Sequence, residues 1–424
     1  MSSIDTIYEP PVLADLAQRL DRFSRTEDPA DLWPGLTDAA RVSAARELER
    51  VTAEVLRGAS GIYIDAAGTH TSYALAVAGH TTGMGPLFGR WIEDELVDAA
   101  PDVRAKFAAH VLHARRRAER IEREVLPALD ALLEHGITPV VLKGFYTSRK
   151  YFEEPGLRRM ADVDIMVTPE VEFTTRQALQ NAGFRAHKPA VVAHKQDWIG
   201  QDVEDRVFSV ELSDERSRWI LELHTSLDYH FETGSIARLD LERERVESFG
   251  IAGRKVLVPS PELLLAMLAC HCSQELHSSR LLRLVEIVRV IRAEVASRRL
   301  DWNGFLEMLR RTDSLRYVYP SLSLAERLAP GTVDARVLDA AKRASTWATR
   351  HTTARLTAAG GRIDERGVIR QLMWTRGFTG LLQRMRRKVQ PVSERPRDVE
   401  LRLRADLRRL RAGRFSISAP DERE

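Results

Sequence analysis

The sequence predicts an α+β chain: a mixed β-sheet core flanked by N-terminal and C-terminal helical regions. Two observations carry this. Between about residues 125 and 258, strand-like runs alternate with helix-like ones, the pattern of a sheet with helices packed on it. On either side the apolar residues recur at helical spacing instead. The expected divisions are 1–124 (helical), 125–258 (sheet core), 259–375 (helical) and 376–424 (a basic tail or helix).

Composition narrows the classes. A chain of 424 residues with 44% apolar content can bury a substantial core, and a formal charge of +3 does not mark the whole molecule as a polyanion binder. Cys270 and Cys272 are too few and too close for a disulfide framework and point to a reducing compartment. MSSIDTIYEPPVLADL lacks the basic region and apolar core of a signal peptide. No uncharged apolar run approaches the roughly 18 residues of a membrane span. The expectation is a cytoplasmic protein with no membrane partner.

In chain order, the first 36 residues read as a proline-dotted arm with one helix, Leu13–Phe23. Asp38–Arg57 is rich in helix formers. Gly58–Gly89 has no phosphate-loop spacing, so its glycines read as helix ends and packing positions. Pro101–His135 predicts one long helix, or two abutting near Pro127, ended by Gly136. Its Arg115, Arg116, Arg117 and Arg120 alternate with or precede glutamates and read as a solvated face, the alternative being that one or two of them reach into the site formed just downstream.

Ile137–Thr168 is the most informative stretch. Thr138–Leu142 reads as a strand, Lys143-Gly144 as a turn, and Asp162–Val167 as a second strand in which polar and apolar residues first alternate. Residues two apart on a strand share a face, so Asp162 and Asp164 project together. Two adjacent carboxylates repel unless a cation lies between them, and Mg²⁺ prefers hard oxygen ligands completed by phosphate and water. The alternative is a solvated strand edge partnered by Arg158 and Arg159.

Beyond it, Thr168 caps a helix to Asn181 and Phe184–Ala186 is a third strand. Asp205–Leu212 and Arg218–His224 form a predicted hairpin, with Glu222 and His224 on one face. His187, His194 and Lys195 fall on a predicted loop. Ser260-Pro261-Glu262 starts a helical region reaching about residue 350, with breaks at Pro320 and Pro330. Cys270-His271-Cys272 with His277 invites a zinc reading, but successive helical residues point about 100° apart, and buried thiols with a hydrogen-bonded histidine account for them better. Between Arg376 and Arg414, thirteen Lys/Arg face four Asp/Glu, which predicts either a solvated helical end, a docking segment for an acidic partner or subunit, or an RNA contact.

These residues resemble the uncharacterised nucleotidyltransferase family of the DNA polymerase β superfamily. The resemblance rests on Leu142-Lys143-Gly144, Tyr151, Gly156, Arg158, Asp162-Val163-Asp164 with Ile165-Met166-Val167, Gly183-Phe184, and Leu221-Glu222-Leu223-His224, over about residues 85–295. It implies a nucleotidyltransferase-like fold that moves a nucleoside monophosphate from an NTP donor to an acceptor: a small molecule, a peptide or natural product, or tRNA. It also implies Mg²⁺ (or Mn²⁺) held by Asp162, Asp164 and a third acid, here Glu222 with Glu211 as rival. Lys143, Gly144, Ser148 (or Thr147) and Arg158 would serve the nucleotide, and His224 would stand behind the carboxylates. Where the superfamily usually carries Gly-Ser or Gly-Gly, this chain has Gly144-Phe145. That difference motivates two alternatives, an inactive nucleotide-binding or interaction module and, with the basic tail, a toxin-like RNA-modifying enzyme.

Overall fold

The computed structural model describes residues 29–359 apart from 34, 65, 67–70, 188–193, 202–217, 232–234, 242–244 and 277–279, together with Gln18, Arg22, Phe23, Met373 and Trp374. Most of the predicted arm helix, the Asp205–Leu212 strand with Glu211, and the basic segment after Arg376 lie outside the described residues.

The N-terminal layer is built on glycine contacts. Short helix α1 (Pro29–Leu32) leads to α2 (Asp38–Leu56), capped by the Thr37 hydroxyl, which accepts from the Ala40 N–H. Two three-residue strands, β1 (Ile62–Ile64) and β2 (Val97–Ala99), pair in parallel; they are too short to give a readable alternation in the sequence. Between them α3 (Ser72–Thr82) and α4 (Gly85–Glu93) lie against α5 (Pro101–Glu134). Gly83 ends α3 at φ 77°. A Cβ on Gly89 would lie 2.5 Å from the Phe107 carbonyl oxygen and 2.3 Å from Val111 Cγ2, so α4 and α5 approach closely only because that atom is missing. Because a backbone carbonyl cannot rotate away, Gly89→Ala is expected to destabilise the fold by about 1–3 kcal/mol in denaturant unfolding.

Helix α5 is continuous over its 34 residues. Pro127 removes one intrahelical hydrogen bond, but Val125, Ala128 and Leu129 are buried around it, and packing carries the helix through the gap. The arginine-rich face is not uniformly solvated. Arg115 pairs with Glu154 and Arg120 with Glu124, whereas Arg117 is buried.

Among the described residues the central sheet has seven strands in the order β10-β11-β3-β4-β7-β6-β5. In chain order these are β3 (Val140–Val141), β4 (Asp162–Met166), β5 (Phe184–Ala186), β6 (Lys195–Gly200), β7 (Ile220–His224), β10 (Val246–Ile251) and β11 (Arg254–Pro259). Between β7 and β10 the chain makes a separate antiparallel ribbon of β8 (Leu227–His230) and β9 (Ile236–Leu239). The sheet is mixed: β4 pairs in parallel with β7 and β11 with β3, the other neighbours being antiparallel. Both edges of β7 are occupied, by β4 and β6. Lys195 therefore lies on a strand rather than the expected loop.

Helix α6 (Lys143–Lys150) follows β3 and α7 (Glu172–Asn181) follows β4. After the sheet come α8 (Pro261–Gln274), α9 (Arg280–Ala296), α10 (Trp302–Arg311), α11 (Leu315–Leu328), α12 (Ala335–Ala344) and α13 (Trp347–Arg355). The Ser260 hydroxyl caps α8, accepting from the Leu263 N–H. Pro320 does not break its helix: it lies buried within α11, where packing offsets the lost hydrogen bond, while Pro330 follows the helix end as expected. Cys270 and Cys272 are buried thiols. One apolar cluster runs from Trp33 to Trp374 and joins the sheet to both helical layers. Among the described residues no helix is long and apolar enough to cross a membrane.

Candidate active site

The parallel pairing of β4 with β7 sets Asp164 opposite Glu222 and Met166 opposite His224. Because alternate strand residues share a face, Asp164, Glu222 and His224 converge, each offering a ligand atom within 4.8 Å of the others. His224 Nε2 lies 3.0 Å from Asp164 Oδ1 and 3.5 Å from Glu222 Oε2. The Asp164 side chain is only 1% exposed. Asp162 projects from the same face of β4 but is half-buried and stands outside this group.

Two lysines face the carboxylates. Lys143 Nζ is 3.3 Å from Asp164 Oδ1, and Lys195 Nζ is 2.6 Å from Glu222 Oε1. Burial alone would raise the Asp164 carboxyl, but the Lys143 charge and the His224 hydrogen bond overcome it and hold it well below the usual carboxylate range. His224 is shifted upward; burial opposes the shift, and hydrogen bonds to Asp164 and Glu222 outweigh it. Asp162 is pushed up to about 6, by burial first and then by the charges of Asp164 and Glu222. At Asp162 the charges of Lys143 and Arg158 oppose this rise. Hard carboxylate oxygens suit a divalent cation such as Mg²⁺: Asp164 and Glu222, which converge with His224, could hold one, with Asp162 two residues before Asp164 on the same face of β4.

The expected turn at Lys143-Gly144 is instead the first turn of α6, which begins directly after Leu142. The Leu142 N–H donates to the Asp164 carbonyl at 3.0 Å, fixing the helix start beside β4. Gly144 has no positive φ. It matters for space: a Cβ there would lie 2.9 Å from Arg158 Nη1. Phe145 points into the core, 1% exposed, with the Arg149 guanidinium 3.6 Å from its ring centre. The residue that replaces the family's usual small side chain therefore packs inward. The Ser148 hydroxyl is buried and donates to the Phe145 carbonyl of its own helix.

Arg158 is engaged as a fork, its Nε and Nη2 each 3.1 Å from an oxygen of Glu286 on α9, and the Thr147 hydroxyl donates to the same carboxylate. Arg159 donates to the His80 carbonyl at 2.7 Å. These contacts give the hydrogen bonds of Arg158 and Arg159 to other partners, although the Arg158 charge still acts on Asp162. The zinc reading of Cys270-His271-Cys272 finds no support: among the described residues these three do not form a metal-ligating group, and His277 lies outside them.

Two contributors escaped the sequence reading, and a third entered it only as an alternative. The sequence pattern puts Lys195 on a loop and leaves Glu286 unmarked within a helical region. Arg117 takes the inward alternative to the solvated face: its Nε donates to the Met160 carbonyl at 3.0 Å and its Nη2 to that of Arg218 at 3.2 Å. Those carbonyls lie two residues before β4 and two before β7, so one guanidinium ties together the entries to both acid-bearing strands. A signal existed: Arg117 stands four and eight residues before the buried Ile121 and Val125, on the stripe that faces the core.

The sequence model of a family described as uncharacterised nucleotidyltransferase matches residues 71–330, more than half of the chain. No curated protein matches significantly. Among solved structures, the chain is similar to an antigenic nucleotidyltransferase-like protein from Paracoccidioides brasiliensis, at 16% identity and a TM-score of 0.29, over 49% of this chain and 93% of that one. That likeness is too slight to carry an argument, and the assignment rests on the family match. The chain belongs to the uncharacterised nucleotidyltransferase family.

Proposed function

We propose that the protein is a metal-dependent nucleotidyltransferase that moves a nucleoside monophosphate from an NTP to an acceptor hydroxyl. Family membership supports nucleotidyl transfer in general, and such enzymes generally use divalent metals. The observation that carries the reading is Asp164 in register with Glu222 on adjacent parallel strands, with buried Lys143 at the start of α6 beside them. The acceptor oxygen would bond to the α-phosphorus while the α–β bridging bond breaks and pyrophosphate leaves. The acceptor proton would pass to a carboxylate of the cluster. The bound metal would supply charge neutralisation on the triphosphate. Lys143 adds a second positive charge there, His224 orients Asp164, and Lys195 holds Glu222. Candidate acceptors are a small molecule, a peptide or natural product, and tRNA, the last drawing on the basic C-terminal region as an RNA contact. The buried thiols of Cys270 and Cys272 favour a reducing, cytoplasmic setting.

A second reading, a nucleotide-binding module without turnover, is favoured by the two lysines already seated on the carboxylates and by Arg158 committed to Glu286. The two readings part on a pair of measurements. Ligand binding to the folded state alone raises stability by about 2.7 kcal/mol at a hundred times Kd, so an NTP with Mg²⁺ is expected to raise the melting temperature and chelation to reverse it. Metal-dependent pyrophosphate release in cell extract then marks the enzyme; stabilisation without release marks the module. No stabilisation by any NTP contradicts both.

A further inference from the structure

A second group of ligating side chains lies apart from the carboxylates of β4 and β7. His194 immediately precedes β6, and Asp228 and His230 lie two apart on β8, where alternation puts them on one face. Each offers a ligand atom within 4.8 Å of the other two. The imidazoles stack with ring centres 5.0 Å apart and planes 9° apart.

The backbone beneath this group is held on several sides. The His194 carbonyl accepts from the Thr225 N–H at 2.9 Å, and the His230 carbonyl from the Gln274 side chain at 2.7 Å. His230 also pairs with Ile236 in the β8–β9 ribbon. The cation nearest Asp228 is a loose partner: Arg238 Nε lies 3.6 Å away on a side chain that is 71% exposed, a pair of little energetic weight. His194 and Asp228 are half-buried and His230 is exposed, so solvent has access to the ligand atoms.

The donor set differs in proportion from that of the candidate active site, with two imidazoles and one carboxylate here against two carboxylates and the His224 imidazole there. Carboxylate oxygens suit Mg²⁺, whereas imidazoles suit zinc, copper, nickel and cobalt. Two histidines and one carboxylate make a three-ligand zinc set that leaves a coordination position open. We propose that His194, Asp228 and His230 form a second metal site, which binds one transition-metal ion of the Zn²⁺ class. It is independent of whether the β4–β7 cluster transfers nucleotides. Ligation would cross-link the start of β6 to β8 and fix the position beside Lys195, the partner of Glu222.

The test uses the full chain, stripped with a chelator and dialysed. Zn²⁺ is titrated against a chromophoric competitor in excess Mg²⁺, and Co²⁺ binding is followed by its visible absorption. One Zn²⁺ equivalent that survives Mg²⁺ is expected. His230→Ala and His194→Ala should each weaken it by at least roughly tenfold and change the Co²⁺ spectrum, while Asp164→Asn leaves both unchanged. Because His230 is exposed, His230→Ala should melt like the wild type in chelator, which separates lost ligation from lost fold. Wild-type Zn²⁺ affinity in His230→Ala would overturn the proposal, as would a Zn²⁺ equivalent lost in Asp164→Asn.

Discussion

Asp164→Asn is expected to lower nucleotidyl transfer by roughly 10³-fold or more while the chain stays folded. The carboxylate is the convergence point of the cluster, touching Lys143 and His224 and standing opposite Glu222. Asparagine keeps its shape and one oxygen acceptor but removes the negative charge that would hold a divalent cation. Metal stabilisation of transition-state charge is worth several kcal/mol, and each 1.36 kcal/mol is tenfold in rate. Pyrophosphate release checks the rate and circular dichroism checks the fold. A variant turning over at wild-type speed would remove Asp164 from the metal site.

The largest stability effect is expected at Glu286→Ala, about 3–5 kcal/mol in denaturant unfolding. Glu286 and Arg158 are 1% and 11% exposed, so deleting the carboxylate leaves a guanidinium buried without its counter-ion. The Thr147 hydroxyl loses its carboxylate acceptor as well and keeps the Gly144 carbonyl at 3.3 Å. The charges of Asp162 and Asp164 reach Arg158 too, which gives the freed guanidinium a second place to turn. Arg158→Leu on the Glu286→Ala background should recover part of the loss, because the unpaired charge, rather than the missing contact, carries the cost. A loss below about 1 kcal/mol would mean that Arg158 finds water or new partners in the variant.

The acid-bearing strands were legible because period-two alternation is a strong local signal. The sequence Asp162-Val163-Asp164 announces its own face, and Glu222 with His224 does the same on β7. Their juxtaposition was supplied by the family resemblance; alternation alone says nothing about which strands pair. Lys195 was missed because β6 reads KQDWIG, where polar residues at Gln196 and Asp197 hide the strand until it is seen between β5 and β7. Glu286 was missed, and Arg117 read first as solvated, for a shared reason. A charged residue on a helix is assigned to solvent unless its partner is known, and both partners lie more than forty positions away in sequence. Glu286 nonetheless stands between Val285 and Ile287, both fully buried. A carboxylate at such a position calls for a counter-ion. At Gly144-Phe145 the turn geometry assumed from the family gave way to a helix start, which turns Phe145 toward the core and leaves Gly144 to make room for Arg158.

The central claim is that the β4–β7 carboxylates transfer a nucleoside monophosphate. The most direct measurement incubates the protein with cell extract and Mg²⁺, using NTPs labelled at the α- or the γ-phosphate, and follows label into acceptor. Acceptor labelling is expected from the α-labelled NTP alone, abolished by chelation and by Asp164→Asn. Labelling from the γ-position, or α-labelling that persists in Asp164→Asn, would contradict that claim.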